Sequence, residues 1–495
     1  MLSKVQAAIQ EAAMKAAGNP AVLEEIRKAG ITTSTGLGIA NVEQGVRSHV
    51  PIVETFFRDN IFRRTDAEGS SSDWKVLSSY DTLKTLPYVP DGKRAGIATK
   101  APTPASAIFG MVGIEDSMTK MAAQQGAKLF GGEPNEAAWF KAALFELFAQ
   151  LEDQAIVSAN KDFTVAKPTT VAGVAAAGGT VNQKVWLRVI PLSMDGNRLA
   201  SMASGLVKQQ AITTGAGETY TINGGCGIVS DALADGVSGG AAEKITWTWD
   251  AVKGAAAYAV YAGVDVPGEP AAAALYLQAI VHVNKWVQTA SVDTTHQTLD
   301  ALAVGVTDYS KVATAWRGLL YQGLADASFY YATANGAALT MTNGILDQLA
   351  TAIEAFWAAN GIEPEFIALS NYQSKAIATL ALSASNPRVQ FTIATNQAGD
   401  MIVGARVTGI VSHITGRTIP VKILQGWPDG MILFGRWNLP NTVNASPKTA
   451  ALRTFGGAWQ VDWTPQTLTD YSGIYEHGGI ELYCPFIWGL LQDVG

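Results

Sequence analysis

Charge is scarce in this chain. Of its 495 residues, 16% are Asp, Glu, Lys or Arg, where soluble domains average about 25%. Cysteine is nearly absent: Cys226 and Cys484 are the two in the chain. Two cysteines cannot staple a chain of this length, so a disulfide scaffold is excluded, and both read as buried reduced thiols. No run approaches the roughly 18 apolar residues that a membrane-crossing helix needs. There is no basic excess either. The net charge is -7, which argues against a dedicated nucleic-acid binder, though not against a local basic stripe. What the chain has is apolar mass, at 48%, enough to offset chain entropy and exclude disorder. Its 49 glycines follow no triplet period, and no unit of 20 to 50 residues recurs, which excludes collagen and solenoid classes.

Motifs of catalysis are also missing. His49, His282, His296, His413 and His477 show no metal-ligand spacing, no phosphate-binding GxxxxGK[ST] occurs, and Gly36-Leu37-Gly38 lacks the third glycine of a dinucleotide loop. Gly236-Val237-Ser238-Gly239-Gly240 matches the GxSxG string of hydrolases, with Asp293 and His296 downstream. That chemistry needs a strand before the serine and a helix after it, and the surrounding glycine-rich sequence reads as a loop between strands. Glu115-Asp116 and Glu152-Asp153 are neighbours in sequence, so on a helix they diverge and read as a solvated face or inter-subunit ion pairs. The expectation is a protein with no catalytic, cofactor or metal site. The first 18 residues resemble an amphipathic helix, with Val5, Ile9, Ala12 and Ala16 on one stripe, and not a secretory leader. The producing cell's cytoplasm is the expected location.

The order of parts is informative. Residues 1–64 form an arm with little core of its own. Residues 65–110 read as a long hairpin-like loop with extended pieces at Trp74–Ser79 and Ala95–Lys100. Between Trp74 and Lys100 it carries Lys75, Lys84, Lys93, Arg94 and Lys100 against Asp81 and Asp91, a net +3. Loops of this length inside a domain tend to be functional. From Glu133-Pro134-Asn135 to Asn160 the spacing of Trp139, Phe140, Ala143, Leu144, Leu147, Phe148, Leu151 and Ile156 predicts a long helix. Residues 166–300 turn to alternating strands (Lys184–Ile190, Lys244–Trp249), a turn at Met194–Asn197 and glycine-rich loops, a β-sandwich inserted into the chain. Helix is predicted over 343–360 with a stop at Gly361, a strand over Phe366–Leu369, a helix over Asn371–Ser383, and strands over 401–434 and 450–491.

Asp73-Trp74-Lys75, Asp91-Gly92-Lys93-Arg94-Ala95-Gly96, Gly113-Ile114-Glu115-Asp116, Ile156-Val157-Ser158-Ala159-Asn160, the stretch from Trp247 to Gly263, and Gly473–Gly479 together carry a resemblance. The chain resembles the major capsid proteins of tailed bacteriophages, of the Hong Kong 97-type fold, with an immunoglobulin-like or fibronectin type III-like insertion. The resemblance implies an α+β chain. Its parts would be an N-terminal arm (1–64), E-loop (65–110), P-domain with spine helix (111–165), β-sandwich insertion (166–300), P-domain return (301–342), A-domain (343–440) and C-terminal P-domain strands (441–495). It implies a homo-oligomer of hexamers and pentamers closing an icosahedral shell around double-stranded DNA, without base readout and without a membrane. Trp74, Lys75, Lys84, Lys93, Arg94 and Lys100 would be the loop's inter-subunit contacts. The short arm implies a separate scaffolding protein, with portal and decoration proteins as further partners. Assembly would take place in the host cytoplasm, and the protein would reside in the virion capsid. An encapsulin-type compartment shell and a surface or tail adhesin are the alternatives. A shell subunit also accounts for the scarce charge, because interface cores are depleted in it. The inserted stretch is blander still: 18 of the 143 residues from 164 to 306 are charged, so it too has partners or simply has a Gly/Thr-rich sandwich composition.

Overall fold

The computed structural model describes residues 54–76, 103–120, 135–302, 307–342, 345–382, 407–438 and 448–495, with isolated positions between. The chain forms two compact units. Apart from the start of one helix, everything described belongs to the second, Pro51–Lys120 with Phe140–Gly495.

The first elements are a short helix α1 (Phe56–Asn60), β1 (Phe62–Arg64), and an antiparallel pair, β2 (Ser71–Val76) and β3 (Thr103–Ile108), in register from Ser71↔Ile108 to Val76↔Thr103. The hairpin expected over 65–110 therefore has its base here. The predicted strand at Ala95–Lys100 lies outside the described residues. Then come β4 (Gly110–Thr119) and the long helix α2 (Asn135–Ser158). At 24 residues α2 is about 36 Å long. Its Leu144 and Phe148 are buried against Ile474, Val112 and Ile114, one turn apart as the i, i+4 period requires. It ends where Asn160 turns its side chain back on the chain, donating from Nδ2 to the Phe163 and Ser310 carbonyls at 2.9 and 3.0 Å.

Residues 172–288 build two sheets of their own. One joins β5 (Ala172–Ala177), β10 (Glu243–Thr248) and β13 (Lys285–Gln288). The other joins β6 (Lys184–Leu192), β9 (Val237–Ser238), β11 (Ala257–Val264) and β12 (Tyr276–Val281). A separate hairpin, β7 (Gln209–Thr213) with β8 (Thr219–Asn223), stands beside them. Strand β11 is buried on both faces. Tyr258, Val260 and Ala262 share a cluster with Ile245 and Trp247 of the facing sheet, while Ala257, Ala259 and Tyr261 meet Leu206, Leu299 and Leu302. The first cluster runs on into the rest of the unit, while the second is a separate core built from residues 190–302. Met194–Asn197, expected as a turn, starts a one-turn-and-a-half helix, α3 (Met194–Leu199), because Ser193 Oγ accepts from the Gly196 N–H and caps it.

After α4 (Leu299–Leu302) and α5 (Leu319–Ala325), a mixed sheet runs in the order β14 (Tyr330–Thr333), β26 (Trp488–Gln492), β22 (Ile432–Gly435), β17 (Phe366–Leu369), β21 (Thr418–Ile423), β20 (Gly409–Val411). Helices α6 (Asp347–Asn360) and α7 (Asn371–Leu382) accompany it. Helix α6 stops at Gly361, whose φ of 66° is a left-handed cap open to glycine. Ile345 and Leu346, expected inside the helix over 343–360, instead form β16, paired with β15 (Met341–Thr342). Two further short strands, β18 (Ala394–Thr395) and β19 (Met401–Ile402), pair with each other.

The last sheet has one hub. Strand β25 (Thr469–Leu482) pairs with β4 along one edge; along the other it pairs first with β24 (Trp459–Thr467) and then with β23 (Ala450–Thr454), to which β1 adds in parallel. The mixed α+β class expected from the sequence is the class observed.

Candidate assembly surface

The sheet around β25 has two unlike faces, as alternation along a strand dictates. Ser472, Ile474 and Glu476 point to the α2 side and are buried. The opposite face is aromatic. By register, Tyr471, Tyr475 and His477 of β25 share it with Trp459 and Trp463 of β24 and with Met111, Gly113 and Glu115 of β4. The Tyr475 ring lies over Gly113, where a Cβ would stand 2.2 Å from Cδ1. Phe455 stacks flat on His477, with centroids 4.5 Å apart. Met111, Trp459, Trp463 and Leu468 stay exposed, the last by 77%. Across the sheet, Phe145 and Leu147 on the flanks of α2 are each 45% exposed.

The β7–β8 turn leans on the aromatic face. Glu115 joins them: its Oε2 accepts from the Gly215 N–H at 3.1 Å, and its Oε1 accepts from the Tyr475 hydroxyl. A cavity of about 500 Å³ lies there, lined by Glu115, Thr214, Gly215, Ala216, Glu218, Trp463 and Tyr471.

On the α2 side, charge is buried and not solvated. Glu152 and Glu476 are both 0% exposed in their side chains. Arg58 Nε donates to Glu152 Oε2 at 2.7 Å, and Arg63 Nη2 donates to Oε1. The expectation of a solvated or inter-subunit Glu152-Asp153 is thus corrected. The two do diverge, but into one protein-lined joint, because segment 55–64 covers the helix there. Asp153 accepts the Arg58 backbone N–H at 2.7 Å, capping α1 from a distance, and burial pushes its carboxyl up to about 6. Sequence spacing gave no signal of this joint, since its partners lie 94 and 89 positions apart.

Of the loop residues singled out in the sequence, Trp74 lies in β2 with its ring edge-on to Tyr483 at 6.0 Å and its buried Nε1 without a partner. Lys75 on β2, and Lys93 and Arg94 further along, are exposed. Lys84 and Lys100 lie outside the described residues, and no contact joins the four into one site. Ser238 sits exposed on the two-residue β9, and β10 follows it, so the strand-then-helix elbow is not formed. Asp293 and His296 approach each other at 3.5 Å, and Asp293 also accepts from Thr295 Oγ1. Among the described residues no group of three potential ligands gathers for a metal ion. Burial holds the Cys226 and Cys484 thiols up at about 12 and about 11, which suppresses thiolate chemistry.

No family model matches the chain, and no curated protein does. Among solved structures, the chain is similar to the capsid of a native GTA particle (TM-score 0.40, 10% identity, 94% of this chain and 98% of that one). It is similar to a structure of Microbacterium phage Oxtober96 (TM-score 0.41, 8% identity, 93% and 99%). It is also similar to the holo-SrpI encapsulin complex of Synechococcus elongatus (TM-score 0.33, 9% identity, 92% of each).

Proposed function

We propose that this chain is the repeating subunit of a tailed-phage-type capsid shell enclosing double-stranded DNA. The observation that carries the reading is exposed apolar surface on two sides of one layer: Met111, Trp459 and Trp463 on the sheet with Leu468 at its β24–β25 turn, and Phe145 and Leu147 on α2. Exposed aromatic surface of this kind marks contact sites. Two unlike surfaces on opposite sides suit head-to-tail contacts that propagate through a lattice, where a two-fold dimer uses one surface twice. The sparse charge of the chain agrees with interfaces of that kind.

In this reading α2 is the spine that keeps the two surfaces at a fixed spacing. The β2–β3 hairpin, with Lys75, Lys84, Lys93, Arg94 and Lys100 along its loop, reaches a neighbouring copy. The 172–288 module projects from the subunit, and residues 343–440 line the capsomer centre. The packaged DNA is held by confinement. The purified protein is expected as capsomers or as megadalton particles of uniform diameter in electron microscopy. A stable 52 kDa monomer at high concentration would refute the proposal. Particles that contain protein cargo and exclude DNA would instead support a compartment shell.

A further inference from the structure

The joint between segment 55–64, α2 and β25 holds more acid than base. Facing one another are Arg58 and Arg63 from the segment, Glu152 and Asp153 from α2, and Glu476 from β25. Asp59, also on α1, is exposed at the edge and accepts from Thr55 Oγ1. Two arginines balance Glu152 and Asp153, which leaves the Glu476 charge in excess. Both Glu152 oxygens are taken by arginine donors, and Glu476 Oε1 reaches Arg63 only at 3.4 Å. The remaining oxygen, Glu476 Oε2, is buried with no partner. A buried acceptor without a donor is costly, and so is an unpaired buried charge. One proton on Oε2 removes both costs. It neutralises the excess and removes the bare buried acceptor, and Glu152 lies within hydrogen-bonding reach of the Glu476 carboxyl.

We infer that Glu152 and Glu476 form a proton-operated clasp that fastens segment 55–64 to α2 and β25, and that loss of the shared proton loosens this segment. The direction follows from the geometry. Deprotonation sets two buried carboxylates side by side, and like charges in a dry site repel. Arg58 and Arg63 are each about a third exposed, so relief comes by letting them and their segment swing toward water. Phe56 and Phe57 resist, packed against Phe366, Trp427 and Trp437. Burial, with the Glu152 charge second, pushes the Glu476 carboxyl up to about 8. The clasp therefore works in the alkaline direction: it is firmest in acid, weakens as pH rises past the ordinary glutamate range, and is fully loosened above about 8.

Hydrogen exchange of the full-length protein, read by mass spectrometry from pH 6 to 9.5 and corrected for intrinsic rate, tests this. Protection of amides 57–64 should fall as pH rises from 6, by up to tenfold per pH unit, and should level off above about 8, where Glu476 is ionised in the closed and the open segment alike. Amides of β17, in the central sheet, serve as the control and should show no such step. Glu476→Gln keeps the side-chain shape and cannot ionise, so its profile should be flat. A wild-type profile without the step, or the same step in the glutamine variant, overturns the inference. Should that variant fail to fold, infrared spectra of wild type carrying isotope-labelled glutamate decide the matter. A protonated glutamate carbonyl band at pH 7 that vanishes by pH 10 supports the clasp, and its absence at pH 7 refutes it.

Discussion

Helix α2 carries two kinds of phenylalanine three residues apart, and truncating each should have opposite consequences. Phe148 is 2% exposed and packs with Leu144, Ile474, Val112 and Ile114. Removing its ring leaves a cavity between helix and sheet, at a cost of about 3–5 kcal/mol, a large share of the ~5–15 kcal/mol that holds a typical domain folded. Phe145 is 45% exposed, and truncating it should cost the isolated subunit about 1 kcal/mol or less. If Phe145 is an assembly contact, its loss is felt between subunits instead. There each 1.4 kcal/mol per contact raises the concentration needed for association about tenfold. The assay is paired: guanidinium unfolding of dissociated subunits by tryptophan fluorescence, and sedimentation velocity of the assembling protein. Phe148→Ala should lower the unfolding midpoint strongly. Phe145→Ala should leave it nearly unchanged and raise the critical concentration. Equal destabilisation by the two substitutions, or normal assembly of Phe145→Ala, would refute the assignment of the two sides of the helix.

Other outcomes follow from the same geometry. Gly113→Val places a side chain inside the Tyr475 ring, and should cost about 1–3 kcal/mol by overpacking; adding Tyr475→Ala should recover part of that in denaturant titration. Trp459→Ala with Trp463→Ala removes exposed rings, so particles should be lost in electron microscopy while the subunit's circular dichroism stays unchanged. Asp493 is buried, and desolvation raises its carboxyl from 3.8 to about 7. The folded state then binds more protons than the unfolded one, so its contribution is full below about pH 4 and is lost as pH rises through about 7. Subunits should unfold at lower urea at pH 8 than at pH 5, and Asp493→Asn should narrow that difference, leaving the share that Glu476 and Asp153 contribute. Cys226, buried with its thiol held up at about 12, should resist alkylation at pH 8 until the protein is unfolded, as followed by mass spectrometry.

Some elements were legible in the residues alone because their cause is local. The three-to-four spacing around Leu144 and Phe148 marked α2, and the apolar run Phe366–Leu369 marked β17 to the residue. Gly361 marked the end of α6, because only glycine takes that left-handed position without strain. Local rules also misled. Met194–Asn197 has turn composition, yet the Ser193 cap makes it helical. Ile345 fits the helical stripe but pairs with Thr342 in a strand.

The site was less legible, since its parts meet across long separations. Glu152 and Glu476 are 324 positions apart in the chain, and nothing near either reveals that both are buried. Glu115, read as half of a diverging pair, became the tie between the β7–β8 turn and Tyr475. By itself the sequence determined composition, the periods of helix and strand, and the absence of catalytic spacing, because each depends on neighbours along the chain. Only the tertiary structure decided which carboxylates lost water and which aromatic rings kept it. Burial is set by what packs from elsewhere, and a residue's own neighbours in sequence do not carry that information.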